Sequence, residues 1–136
     1  MCGIAGIMTV DGNSPSKALL EKMGSSLQHR GPDGREFFTL HGVGMVHNRL
    51  AIIDLESGKQ PFFGTTKQIK ESSALIANAE IYNYIEVRND IGQEFFSTNS
   101  DCEVPIILYG LNGLEMNKAL RGMYAIAIYD PSKKQL

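Results

Sequence analysis

Met1-Cys2-Gly3-Ile4-Ala5-Gly6-Ile7 opens the chain, and the reading of its second residue governs the reading of everything after it. A small side chain behind the initiator predicts that Met1 is removed. The processed chain then begins at Cys2, with a thiol and a free α-amine on one residue. An α-amine titrates near about 7.7–8.0 and a thiol near about 8.5, so the amine is a natural base at neutral pH. One residue thus supplies nucleophile and proton acceptor together. The competing reading is an inert structural cysteine, and Cys2 alone favours it. The rest of the chain decides against it.

Outward from Cys2, the pattern alternates strands and helices. Residues 4–10 read as a buried strand. Ser14-Pro15 reads as a helix start, followed by Leu19, Leu20, Met23 and Leu27 at helical spacing. Gly31-Pro32-Asp33-Gly34 is a turn. Residues 36–40 and 44–47 read as strands joined near His41-Gly42, and 50–55 as a further apolar strand. Residues 73–78 form another strand, and Asn83 is placed to cap a short helix through Val87. Ser100-Asp101-Cys102-Glu103 has the pattern of a capping box, opening a helix with Ile106, Ile107, Leu108 and Leu111. Pro105 falls early in it and Gly113 ends it. Residues 123–129 form an apolar strand bounded by Asp130-Pro131. The turn there predicts a partner strand near Leu136, so 123–129 is expected to present an open edge.

Bulk properties set limits. The 136 residues amount to one domain, with 43% hydrophobic and 21% charged residues, as in soluble globular proteins. The net charge of -2 offers no basic face for nucleic acid. No apolar run is long enough for a membrane span, and no signal peptide is visible. Two cysteines, Cys2 and Cys102, do not make a disulfide framework, which points to a reducing cytoplasm. His29, His41 and His47 lack metal-like clustering and read as structural, so no metal site is expected. Cys102 reads as packing at a helix start, the phenylalanines as core or loop packing, and Glu21-Lys22 and Lys133-Lys134 as solvated charges.

Four polar stretches stand at the ends of apolar elements, where side chains converge. They are His29-Arg30-Gly31-Pro32-Asp33, residues 47–54 (HNRLAIID), Asn78-Ala79-Glu80-Ile81-Tyr82-Asn83, and Ser100-Asp101-Cys102-Glu103. A free amino acid needs a cation for its carboxylate, an anion for its ammonium and donors for its reacting carbonyl. Arg49 can hold a carboxylate through two parallel hydrogen bonds. Asp101 or Glu80 can hold an ammonium, and the Asn78 amide can donate to a developing oxyanion. The competing readings are an inter-strand salt bridge for Arg49 and a helix-start anion for Asp101.

On those stretches, together with Gly58-Lys59-Gln60-Pro61 and Leu120-Arg121-Gly122-Met123, the chain resembles the class II glutamine amidotransferases from Cys2 to its last residue. Within them it resembles the glutaminase part of glutamine-dependent asparagine synthetases. The resemblance implies an α+β fold, the N-terminal-nucleophile four-layer αββα sandwich of antiparallel sheets, here incomplete at the C-terminus. Residues 1–136 would be the glutaminase domain without its last strands and without the synthetase domain.

The resemblance also implies roles. Cys2 attacks the amide carbon of L-glutamine, with its own α-amine taking the thiol proton. Asn78 and the backbone N–H of Ala79 hold the oxyanion. Arg49 grips the substrate carboxylate and Asp101 its ammonium. Glu80, Leu50, Ile52 and Ile53 line the pocket. No cofactor is expected in this chain; ATP and magnesium belong to a synthetase domain elsewhere, which would receive the ammonia. A second copy pairing through the open edge is a further partner. The family pattern carries glycine at the place of Ala79, so a weakened oxyanion hole is expected: a positive φ there would cost alanine about 1–2 kcal/mol, whereas a negative φ would leave the change nearly silent, with the methyl only crowding the pocket. The alternative function is an inactive module that binds glutamine or a partner protein. A third is another glutamine-fed transferase with a different acceptor domain.

Overall fold

A computed structural model describes residues 2–52, 54, 57–64 and 73–136. Among the described residues, six strands and three α-helices follow in the order β1 (Gly3–Met8), α1 (Lys17–Ser26), β2 (Gly34–Leu40), β3 (Val43–Arg49), β4 (Phe62–Gly64), β5 (Ser73–Ile81), α2 (Tyr84–Ile91), α3 (Val104–Asn112) and β6 (Gly122–Tyr129). The strands form two antiparallel sheets of order β1-β3-β2 and β4-β5-β6. The fold is therefore α+β.

Strand alternation explains how the layers meet. Val43 and Met45 of β3 pack against Ala74 and Ile76 of β5 and Tyr129 of β6, so the sheets face each other. The intervening β5 residues point the other way. Leu75 and Ala77 pack with Phe62, Cys102 and Ile106 at the start of α3, and Ile81 packs with Val87 of α2 and Leu108 of α3. Leu20 of α1 lies against the first sheet so closely that a Cβ on Gly44 would come within 2.8 Å of it. The β2–β3 hairpin turns on His41 and Gly42, both with positive φ, which matches the twist of the strands it joins.

Several sequence expectations shift. Helix α1 is capped by Ser16, whose side chain accepts from Leu19 N–H, rather than by Ser14. The described residues of 50–55 form no strand. Ala51 N–H is drawn to the Asp33 carboxylate at 2.8 Å, and Asp54 has a φ of 52°, a conformation that breaks extended pairing. Asn83 stands at the N-cap position of α2, but its amide bonds Ala119 O and Arg121 N–H instead of the helix. The Ser100 hydroxyl accepts from Cys102 N–H, while Glu103 turns back to Ser97 and Thr98, so the capping box is not formed as read. Lys133 is not merely solvated: it ion-pairs with buried Asp130 at 2.9 Å and donates to the Tyr109 hydroxyl at 3.0 Å. Burial works to raise the Asp130 carboxyl, but donors from Ser132, Lys133 and Tyr109 outweigh it and hold the group below the usual range.

The expected open edge is present. Strand β6 pairs with β5 along Gly122–Ile81 to Tyr129–Ala74 and with no other described strand, and residues 122–125 are exposed. The chain then turns at Asp130, which bridges to Gln135. Among the described residues no helix is long and apolar enough to cross a membrane.

Candidate active site

One pocket opens where the two sheets and the turn before α3 converge. Cys2 enters it from the start of β1. From β3 and the segment after it come His47, Arg49, Leu50 and Ile52. Asn78, Ala79 and Glu80 come from β5, and Asp101 from the turn before α3. Of the residues singled out from sequence, Cys2, Arg49, Leu50, Ile52, Asn78, Ala79, Glu80 and Asp101 all line this pocket; Ile53 lies outside the described residues. His47, Gly58, Gln60, Ser100 and Cys102 also line the pocket; they stand in the stretches singled out from sequence, but none is given a site role there, His47 reading as structural and Cys102 as packing. His47 was detectable, because it precedes Arg49 by two positions on one strand and so shares its face.

Backbone contacts hold Cys2. Its half-buried sulfur faces the peptide of residue 50, with Leu50 N–H donating to Sγ at 3.4 Å and the carbonyl of Leu50 lying 3.7 Å from it. Arg30 Nε donates to the Cys2 carbonyl at 3.1 Å and so braces the start of the chain from the loop at 29–33. That loop must lie flat on β3. A Cβ on Gly31 would come within 2.2 Å of Asn48 O, and Asp33 N–H donates to Arg49 O at 2.9 Å. His29 is exposed and takes no part in the pocket.

The edge of β5 supplies directed backbone groups. Just before β4 begins, buried Gln60 takes the place of a strand: its amide donates to Ala77 O at 3.1 Å and accepts from Ala77 N–H at 2.6 Å. Ile81 N–H, on the same edge, donates to Asp101 Oδ2 at 2.8 Å. Peptide groups alternate sides along a strand, so Ala79 N–H between them points away from β6 and toward the pocket. Cys102 Sγ donates to Ala79 O at 3.6 Å on that edge. The even residues Asn78 and Glu80 continue the face that Ala74 and Ile76 turn to the first sheet. Ala79 is not among the described residues with positive φ, and its methyl packs on the helix side. The strain expected of alanine at this position therefore does not arise.

Charges are arranged around this edge. The Arg49 guanidinium donates to Asp54 O. Asp54, in turn, has its carboxyl held below the usual range, first by the Ser57 hydroxyl and then by backbone donors. His47 is buried, and neither ring nitrogen meets hydrogen-bond geometry. Burial lowers its pKa to about 4, helped by the charge of Arg49 and opposed by the Ala77 backbone, so the imidazole is neutral at pH 7. Burial also raises the Cys102 thiol, with the Asp101 charge adding to the effect, so this sulfur stays protonated. Among the described residues no cluster of three His, Cys, Asp or Glu side chains is placed to hold a metal ion.

Comparison with known proteins agrees with the pocket. The sequence pattern of the glutamine amidotransferase domain matches residues 1–136. The chain is 34% identical to asparagine synthetase [glutamine-hydrolyzing] 2 of Bacillus subtilis, covering 100% of this chain and 18% of that protein. It is 36% identical to asparagine synthetase B [glutamine-hydrolyzing] of Escherichia coli, over 98% of this chain and 24% of that one. It is 40% identical to amidase chry2 of Gibberella zeae, over 100% and 22%. The chain thus spans about a fifth of the length of these relatives. By residues, pocket and sequence pattern together, the chain belongs to the glutamine amidotransferase domain family.

Proposed function

We propose that this chain hydrolyses L-glutamine to glutamate and ammonia as the glutaminase part of an asparagine-synthetase-like amidotransferase. The observation that carries the reading is the convergence on one pocket of a sulfur, a cation, two carboxylates and the edge backbone of β5: Cys2, Arg49, Glu80, Asp101 and Ala79. Arg49 takes the α-carboxylate of glutamine and Asp101 the α-ammonium. The side-chain amide then reaches toward Cys2. Removal of Met1 frees the Cys2 α-amine, which accepts the thiol proton as Sγ bonds to the amide carbon. The carbonyl oxygen becomes an oxyanion held by the Asn78 amide and Ala79 N–H. The amine returns the proton to the leaving nitrogen, ammonia departs, and water hydrolyses the thioester to glutamate. Glu80, Leu50 and Ile52 shape the pocket wall.

The reading extends to the whole protein. The layers described above are assigned to the N-terminal-nucleophile αββα sandwich. Residues 1–136 act as its glutaminase domain, and a synthetase domain carrying ATP and magnesium receives the ammonia; this chain's own step needs no cofactor. The open edge of β6 is the surface assigned to a protein partner, a second copy included. Unpaired Cys2 and Cys102 fit a reducing cytoplasm.

The test is glutamate release from L-glutamine by protein whose intact mass shows Met1 removed. The processed protein is expected to turn over, and Cys2→Ala to lose at least about a thousandfold in rate, as expected when a covalent nucleophile is removed. Glutamine binding without turnover in the processed protein selects the inactive module instead.

A further inference from the structure

The carboxylate-binding and ammonium-binding groups of the pocket come from segments far apart in sequence, and one residue outside the pocket is bonded to both segments, to Arg49 through its backbone carbonyl and to Asn99 N–H through its carboxylate. Asp54 lies after β3, with the left-handed φ of 52°. Its backbone carbonyl accepts from the Arg49 guanidinium. Its carboxylate accepts from Ser57 N–H at 2.9 Å and Ser57 Oγ at 2.5 Å within its own turn. The same carboxylate crosses to the other wall, where Asn99 N–H donates to Oδ2 at 2.8 Å. Asn99 stands two residues before Asp101, whose own carboxylate is tied to Ile81 N–H. Gly58 completes the joint: a Cβ there would lie 2.9 Å from Asp54 O and 3.0 Å from the Arg49 guanidinium, so only glycine lets the turn close on both.

We propose that Asp54 is a positioning residue that fixes the spacing between Arg49 and Asp101, and so sets how well the site holds both charged ends of an α-amino acid. The proposal rests on the reading of Arg49 and Asp101 given above. Asp54 itself does not line the pocket and touches no reacting atom. Its effect falls on substrate affinity rather than on the chemistry at Cys2, because Cys2 is held by bonds that Asp54 does not make, Leu50 N–H to its sulfur and Arg30 Nε to its backbone carbonyl. A strained conformation kept by so many contacts is the kind that marks a functional joint.

The test separates affinity from chemistry. Glutamate release is measured for the wild type, Asp54→Ala, Asp54→Asn and Ser57→Ala, with alkylation of Cys2 by iodoacetamide as a probe that needs neither charged end. Asp54→Ala is expected to raise KM for L-glutamine about tenfold, the size of one lost charge-assisted tie, with kcat within about twofold and the alkylation rate unchanged. Asp54→Asn, which keeps the shape but faces the Asn99 and Ser57 donors with an amide, is expected to fall between. Ser57→Ala, which removes only the local bond, leaves KM near the wild-type value. An unchanged KM in Asp54→Ala overturns the proposal, as does a kcat loss without a KM change, or a Ser57→Ala effect as large as that of Asp54→Ala. Should the alanine variant not fold, the asparagine variant decides between the same outcomes by its KM. If processed wild type neither hydrolyses nor binds L-glutamine, the glutaminase reading falls and this inference with it; if it does either while Asp54 is silent, the inference falls alone.

Discussion

At the scale of single residues, the site depends on a few side chains whose surroundings override their usual behaviour. His47 read as structural in sequence, and its burial agrees, yet it also lines the pocket without hydrogen-bond partners of normal geometry. Its folded pKa of about 4 lies below its ordinary value of 6.5. Below that ordinary value the unfolded chain takes up a proton that the folded chain refuses. Stability therefore falls as pH drops from 6.5 to about 4 through His47. The loss is at most about 3.5 kcal/mol across that window. The carboxylates of Asp54 and Asp130, held low when folded, lose their contribution only below about 4, so the windows are separate. Melting temperature measured against pH is expected to fall between pH 6.5 and 4 in the wild type and to stay flatter there in His47→Gln. Parallel profiles would refute the assignment. Ala79 teaches a related lesson: the suspicion that alanine strains this position was reasonable from the sequence, and strand geometry removes it.

At the scale of elements, the readable features were those with local causes. The β2–β3 hairpin was visible in His41-Gly42, and α3 in its apolar face and Gly113. The segment after β3 was misread as a strand because its apolar residues match strand periodicity. What bends it away is non-local: Asp33, 18 residues upstream, captures Ala51 N–H. The same holds for Glu103, which spacing assigned to a capping box and tertiary contacts send to Ser97, Thr98 and Arg88. Four of the five pocket residues that the sequence leaves without a site role share this origin. Gln60 acts as a strand neighbour only because β4 does not begin until Phe62, and Gly58, Ser100 and Cys102 face the pocket only through the packing of turns. Gly31 gives the element-scale prediction. The loop it sits in can brace Cys2 only if it touches β3, and a methyl there would strike Asn48 backbone at 2.2 Å. Gly31→Ala is expected to lower the unfolding free energy by about 2–3 kcal/mol, as overpacking against backbone does, seen as a lower urea midpoint at unchanged m. A midpoint equal to the wild type's would contradict the close contact.

At the scale of the molecule, two sheets packed face to face bring together residues from both ends of the sequence. Cys2 opens the first sheet, Asn78 to Glu80 end the middle strand of the second, and Asp101 stands on the turn that enters α3. Residue types and family pattern made eight of these pocket positions readable; the relative placement of the sheets was not, because it depends on side-chain packing among Val43, Met45, Ala74, Ile76 and Tyr129. The pocket contains two sulfurs, and the account assigns them opposite roles: Cys2 attacks, while Cys102, buried and kept protonated, does not. The most direct measurement treats processed protein with a glutamine analogue that carries a diazoketone in place of the side-chain amide, and maps the adduct by peptide mass. The account predicts a single adduct on Cys2 that excess L-glutamine prevents; an adduct on Cys102, or labelling of Cys2 that L-glutamine does not slow, would contradict it.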